Sequence, residues 1–132
     1  MTMHNFRKLR VWFRARALGG DVYRLCATVT SPPAKAVTAQ LRRSALSISA
    51  NIAEGCGKRS RAEGIRYLEI AAGSAAETQH HLAMAADLEI LTRERCARLA
   101  DEAEQIGRMI RALIVRFPAN DDAGREQEVL RT

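Results

Sequence analysis

The segment "GCGK" at Gly55–Lys58 combines glycine with lysine in the way that phosphate-binding loops do. A P-loop of the form GxxxxGK[ST] cradles phosphates with backbone N–H groups between a strand and a helix. In this chain Ile52 occupies the position of the first glycine, and Arg59 occupies that of the metal-binding hydroxyl. Because the flanking segments also have helical patterns, the sequence excludes a P-loop here.

Metal and nucleophilic chemistry have little support. The motif "ETQH" (Glu77–His80) has the Glu-x-x-His form of di-iron bundles, but such a site needs a second copy and two further inward glutamates. The three cysteines are far apart without a CxxC pair, which indicates buried thiols rather than a disulfide framework or zinc site. No serine or cysteine lies in a recognisable nucleophile motif. We therefore predict no metal, no cofactor and no enzymatic activity.

Two groups of basic residues are candidates for binding RNA or DNA. One lies on the first predicted helix and the other at a loop; together they are Arg7, Arg10, Arg14, Lys58, Arg59 and Arg61. With Trp12, Phe13 and Tyr23 nearby in sequence, they could hold a phosphate backbone and stack a base. The alternative is a solvated basic face, with the aromatic residues in the core or in a subunit interface.

A third set of polar residues lies close to a predicted apolar stripe. Its members are Arg43, Ser47, Asn51, Glu54 and Glu77. Buried polar side chains must satisfy one another's hydrogen bonds, so we predict a network that fixes the register of two helices. A binding pocket at the same hairpin is the alternative.

The elements that position these residues belong to a single globular domain. The chain has 132 residues, 47% hydrophobic and 27% charged. It has no apolar run long enough for a membrane span and no secretory signal, so we expect a cytoplasmic protein. Residues 1–61 carry a net charge of +10 and residues 62–132 one of −4. The basic half could present a cationic face to nucleic acid.

Apolar residues recur at helical spacing, whereas no segment alternates like a strand. The patterns predict helices over about 5–28, 33–54, 60–91 and 93–117, and short connections favour an antiparallel up-down-up-down four-helix bundle over 1–117. The polar tail 118–132 is expected to be flexible. The first apolar stripe begins Phe6, Leu9, Phe13, and the pair Gly19-Gly20 suggests a kink. We expect a left-handed glycine cap after the second helix, and "SRAE" (Ser60–Glu63) predicts a capping box.

The segments "FRKLRVWFRA", "LRRSALSISANIAEGCGKRS" and "YLEIAAGSAAE" resemble the four-helix-bundle proteins of the S23 class. These include proteins encoded within intervening sequences of 23S rRNA genes, with the accessory proteins of diversity-generating retroelements as a related group. The resemblance covers roughly residues 6–117, and its most specific part is Ser47–Gly55. It implies a four-helix bundle and a ring-shaped homopentamer; nucleic-acid or reverse-transcriptase binding is implied for the retroelement branch alone.

These observations predict a non-enzymatic, homo-oligomeric bundle that serves as a nucleic-acid-binding scaffold or adaptor. The alternative is a protein–protein interaction module that does not bind nucleic acid. Trp12 and Tyr23 are large residues on a helix with more apolar surface than one bundle seam needs. We therefore predict that aromatic residues of the first helix contribute to the subunit interface.

Overall fold

Four α-helices account for most of the chain in a computed structural model that describes residues 5–117. A short 3₁₀ turn at Phe6–Lys8 precedes them. The helices are α1 (Arg10–Cys26), α2 (Pro32–Cys56), α3 (Arg61–Asp87) and α4 (Arg93–Arg116). Residues 1–4 of the predicted domain and the predicted tail 118–132 lie outside the described residues. None of the described helices has the length and apolarity to cross a membrane.

Each helix packs on the next one in sequence, and α1 packs on α4, which closes a four-helix bundle. Contacts between neighbouring helices pair later residues of one helix with earlier residues of the next. Between α1 and α2, Gly19 lies against Ala45 and Leu46, whereas the later Cys26 reaches the earlier Thr38. The same reversal holds between α2 and α3, where Ser44 meets Thr78 and Ser47 meets Ser74, and at the α3–α4 pair, where Arg61 meets Phe117 and Gly107 lies near Ala75. Neighbouring helices are therefore antiparallel.

The predicted continuous first helix is wrong at its start, because Leu9 has an extended backbone (φ −83°, ψ 124°) between the 3₁₀ turn and α1. This interruption changes the phase of the apolar stripe. Val11 and Ala15 are buried, while Phe13 is 53% exposed. The segment at Gly19-Gly20 remains helical, and Gly19 lets α1 approach α2 closely.

The helix ends also differ from prediction. The left-handed glycine cap is wrong: Gly57 keeps a right-handed conformation (φ −86°, ψ −7°), and its N–H continues the helical bonding to Ala53 and Glu54. Ser60 caps α3 by accepting from the N–H of Glu63 at 3.1 Å. The third helix ends at Asp87 rather than near Leu91. Among the described residues, the left-handed conformation occurs just beyond this end, at Glu89 (φ 58°).

In α4 the apolar residues that recur every three or four positions form one side of the core. All of them are buried except Leu99, which is partly buried; the buried ones are Cys96, Ala103, Ile106, Ile110, Leu113 and Phe117. The cysteines are free and buried. In α3 the small residues Ala71, Ala72 and Ala75 are buried, so small side chains fill the layer that faces the neighbouring helices.

Candidate nucleic-acid interface

The N-terminal turn and the α2–α3 corner lie at the same end of the bundle. The turn packs on α2, which ends beside it because α1 and α2 are antiparallel. The end of α4 joins them, since Arg61 Nε donates to the carbonyl oxygen of Phe117 at 3.0 Å. We call this region the basic pole and define it by its cations: Arg7, Lys8, Arg10, Lys58, Arg59 and Arg61.

Positive charge dominates the two segments that form the pole, 5–10 and 54–63. They hold six cations and two carboxylates, Glu54 and Glu63, for a net charge of +4. Lys8, Arg10 and Arg59 are exposed and make no hydrogen bond or ion pair within residues 5–117. Their charges are therefore available to a phosphate backbone.

The other three cations of the pole already have contacts within the protein. Arg7 lies over the ring of Phe6, with 4.7 Å from Cζ to the centroid. Lys58 Nζ is 3.0 Å from a carboxylate oxygen of Glu54 and 4.9 Å from the Tyr67 ring centroid. The hydrogen bond to Glu54 raises the pKa of Lys58, so it is fully charged at neutral pH. Arg61 donates a hydrogen bond to the carbonyl oxygen of Phe117.

Arg14, which was predicted to bind nucleic acid together with Arg7 and Arg10, lies outside the pole. Its Nε and Nη2 contact the two carboxylate oxygens of Glu102 at 3.0 and 2.5 Å, and Nη2 donates to Gln105 Oε1 at 2.8 Å. The bond to Glu102 raises the pKa of Arg14 despite partial burial. Arg14 therefore joins α1 to α4, and the break at Leu9 separates Arg7 from the helical face that Arg10 and Arg14 share.

An aromatic cluster flanks the pole. Trp12 makes edge-on contacts with Phe6 and Phe13, at centroid distances of 5.0 and 5.1 Å, and Arg16 lies 5.3 Å from the Trp12 ring. Trp12 is half-buried, whereas Phe13 is exposed. Phe13 is thus the ring of this cluster that is open to another molecule.

Hydroxyl groups line the contact between α2 and α3. Ser47 Oγ is 2.6 Å from Ser74 Oγ, and Thr78 Oγ1 is 3.0 Å from Ser44 Oγ. We call Ser44, Ser47, Ser74 and Thr78 the hydroxyl seam. Asn51 extends it by donating from Nδ2 to the carbonyl oxygen of Ser47 at 2.8 Å.

The structure brings together two of the residues predicted to form a polar network. Ser47 lies in the seam and Asn51 bonds to it, but Arg43, Glu54 and Glu77 lie elsewhere. Arg43 is exposed without a partner in the described chain, and Glu54 pairs with Lys58. Glu77 lies 3.7 Å from His81 of its own helix. Sequence reasoning missed Thr78, which its three-residue spacing from the buried Ala75 could have identified.

The Glu77–His80 motif is not part of a metal-ligand cluster. His80 packs edge-on against His81, with ring centroids 5.2 Å apart. Across residues 5–117, no three His, Cys, Asp or Glu side chains come together as ligands. The Gly55–Lys58 segment holds the last two residues of α2 and the first two of its connection to α3, so a helix precedes it where a P-loop needs a strand.

Comparison with known proteins identifies the family. The model of the 23S rRNA-intervening sequence protein family matches residues 7–112. The chain is also similar to the crystal structure of a protein of unknown function from the S23 ribosomal protein family of Bacteroides thetaiotaomicron, with a TM-score of 0.73 and 27% identity over 79% of this chain and 97% of that one. No curated protein matches the chain. The fold and the extent of the family match together place this chain in the 23S rRNA-intervening sequence protein family.

Proposed function

We propose that this protein is a non-enzymatic, homo-oligomeric scaffold that binds the phosphate backbone of RNA or DNA through its basic pole. The observation that carries the proposal is the convergence of Lys8, Arg10 and Arg59. They come from two segments about 50 residues apart in sequence, yet lie at one end of the bundle with no internal counter-ion among the described residues. Such a cluster attracts a polyanion and releases its condensed counter-ions.

The supporting features concern assembly and location. The family resemblance implies a homopentamer, which would place several copies of the basic pole in one particle and strengthen binding by multivalency. Three buried, unpaired thiols suit a reducing compartment, which supports the cytoplasm as the site of action. In this proposal the protein acts by holding and presenting nucleic acid rather than by transforming it.

Fluorescence anisotropy with labelled structured RNA and duplex DNA tests the proposal. The variant Arg10→Gln/Arg59→Gln removes two charges without breaking a described contact. Arg43→Gln/Arg95→Gln is its control, because it removes the same charge from exposed arginines away from the pole. Loss of two phosphate contacts should reduce the salt dependence, the slope of log K against log salt, by about 2 for the pole variant.

Two results would reject nucleic-acid binding by the pole. One is no measurable binding at about 50 mM salt, where phosphate contacts are strong. The other is a control variant that weakens binding as much as the pole variant does, because net charge alone would then account for the effect.

The second candidate function is a protein–protein interaction module, and exposed apolar residues favour it. Phe13 of α1 and Leu46 of α2 are 53% and 45% exposed. Of the two aromatic residues predicted at a subunit interface, Trp12 packs within its own chain, whereas Tyr23 is exposed and stays a predicted interface residue. We assign the subunit contact near the pole to Phe13 and extend it to Leu46 on the neighbouring helix.

Multi-angle light scattering on Phe13→Ser decides whether this contact joins copies of the chain. A fall in particle mass supports the interface between subunits. If both the particle mass and nucleic-acid binding are unchanged, Phe13 does not join copies of this chain. Contact of Phe13 with a different protein would then be favoured, as the interaction module requires.

A further inference from the structure

A cleft lies at the opposite end of α1 from the basic pole. It has a volume of about 410 Å³ and is bounded by the end of α1, the α1–α2 connection and the first turns of α2. Its lining residues are Tyr23, Cys26, Ala27, Val29, Thr30, Lys35, Thr38 and Arg42. We call it the α1–α2 cleft.

The charge in this cleft is uncompensated. Lys35 and Arg42 line it, and no carboxylate does. Neither side chain makes a hydrogen bond or an ion pair with the described part of the protein. Arg42 is half-buried, and a partly desolvated cation without a counter-ion is unfavourable. An anion in the cleft would remove that cost.

The thiol in the lining does not supply the missing negative charge. Burial raises the pKa of the Cys26 thiol, and the positive charge of Arg42 only partly opposes this effect. Cys26 Sγ also contacts the carbonyl oxygen of Thr38 at 3.7 Å, as a neutral thiol donor does. The Cys26 thiol therefore adds no negative charge to the cleft at neutral pH.

Side chains, rather than the start of α2, would hold the anion. Pro32 and Pro33 open α2 and carry no N–H group, and Ser31 Oγ caps the N–H of Ala34. Beyond the two cations, the hydroxyls of Thr30 and Tyr23 have no partner within the described chain. A phosphate group, with several acceptor oxygens and up to two charges, matches this set of donors.

We propose that the α1–α2 cleft binds the phosphate of a nucleotide, with Lys35 and Arg42 as its phosphate ligands. The volume lies within the range of about 300–1,000 Å³ typical of small-molecule sites and leaves room beyond a bare phosphate. Tyr23, 55% exposed at the cleft, offers an aromatic face for the base. A free nucleoside monophosphate and the 5′-phosphorylated end of a strand present the same chemistry.

Isothermal titration calorimetry with adenosine monophosphate tests the site. Arg42→Gln should weaken binding at least about tenfold, as the loss of a charge-assisted hydrogen bond predicts. Arg43→Gln is the matched control, since the neighbouring arginine is exposed and outside the cleft, and it should bind like the wild type. Lys35→Gln should also weaken binding, and because Lys35 is exposed, this variant keeps the test independent of folding.

Three outcomes overturn the proposal: adenosine binds as tightly as its monophosphate, the control loses as much affinity as Arg42→Gln, or no binding is detected at millimolar ligand. Two short single-stranded oligonucleotides, one with and one without a 5′-phosphate, distinguish a strand end from a free nucleotide as the source of the phosphate. A preference for the phosphorylated strand that Arg42→Gln abolishes identifies a strand end. Binding of the mononucleotide without such a preference identifies a free nucleotide. The inference is independent of the proposed function, because Arg10→Gln/Arg59→Gln should leave mononucleotide binding intact.

Discussion

The substitution Gly55→Ala tests how closely α2 and α3 must approach beside the basic pole. A Cβ added at Gly55 would lie 2.8 Å from the backbone carbonyl oxygen of Gly64 and 3.3 Å from Tyr67 Cβ. A backbone oxygen cannot rotate away as a flexible side chain can. The two helices would have to separate locally, and the corner that carries Lys58 and Arg59 would move with them.

The magnitude follows from two opposing effects. Overpacking of this kind costs about 1–3 kcal/mol. Replacing glycine by alanine within a helix returns up to about 1 kcal/mol. Gly73→Ala is the matched control, because Gly73 is also helical but an added Cβ would meet nothing within 4 Å. Gly73→Ala should stabilise the protein by about 1 kcal/mol, so the difference between the two variants isolates the steric cost of about 1–3 kcal/mol.

Urea unfolding followed by far-ultraviolet circular dichroism measures this difference. All variants must be compared at one protein concentration, since association changes apparent stability. Gly55→Ala should have the lower midpoint and Gly73→Ala a higher one than the wild type. If both variants gain stability equally, the close approach of α2 and α3 does not limit packing and the reasoning is refuted.

Two further predictions concern the ion pair and the buried thiol. Glu102→Gln should lower the free energy of unfolding by about 1–2 kcal/mol in urea titrations, because it weakens a charge-assisted pair that is only one-third exposed. Nucleic-acid affinity should not change; a tenfold gain would return Arg14 to the binding surface, because the released guanidinium would then contact phosphate. Burial raises the pKa of Cys56 from 9.0 to about 12, so the folded state holds its proton where the unfolded state has lost it. The stability that this thiol contributes should be complete below pH 9 and fall as the pH rises toward 12; a Cys56→Ala variant with an equally steep alkaline loss would contradict the assignment.

The helical architecture could be predicted because its signals are local and repeated. The spacing in α4 from Cys96 to Phe117 identifies one buried face over six turns, and the structure buries that face. The start of α1 could not be predicted in the same way. Leu9 is fully buried in an extended conformation, so tertiary packing rather than helix propensity decides its backbone.

The candidate sites could likewise be predicted only in part from the sequence. Sequence alone placed Arg10 and Arg59 in cationic segments, and antiparallel packing brings those segments to one end. It could not reveal that Glu102 neutralises Arg14, because the two residues are 88 positions apart. Lys35 and Arg42 are seven residues apart, which places them on one face of α2. That spacing could not show that the end of α1 forms a cleft with them.

The hydroxyl seam has a consequence for how the bundle folds. Ser44 Oγ lies 3.0 Å from the carbonyl oxygen of Leu41, and Thr78 Oγ1 lies 2.8 Å from that of Ser74, each within its own helix. The hydroxyls of Ser44, Ser47 and Thr78 can therefore be hydrogen-bonded before the helices meet, and in a hairpin shifted by one turn the Ser74 hydroxyl alone, within the seam, is left without its partner. We expect α2–α3 hairpins in a shifted register to rearrange without a deep kinetic trap. The native register is the one in which Gly55 meets Gly64.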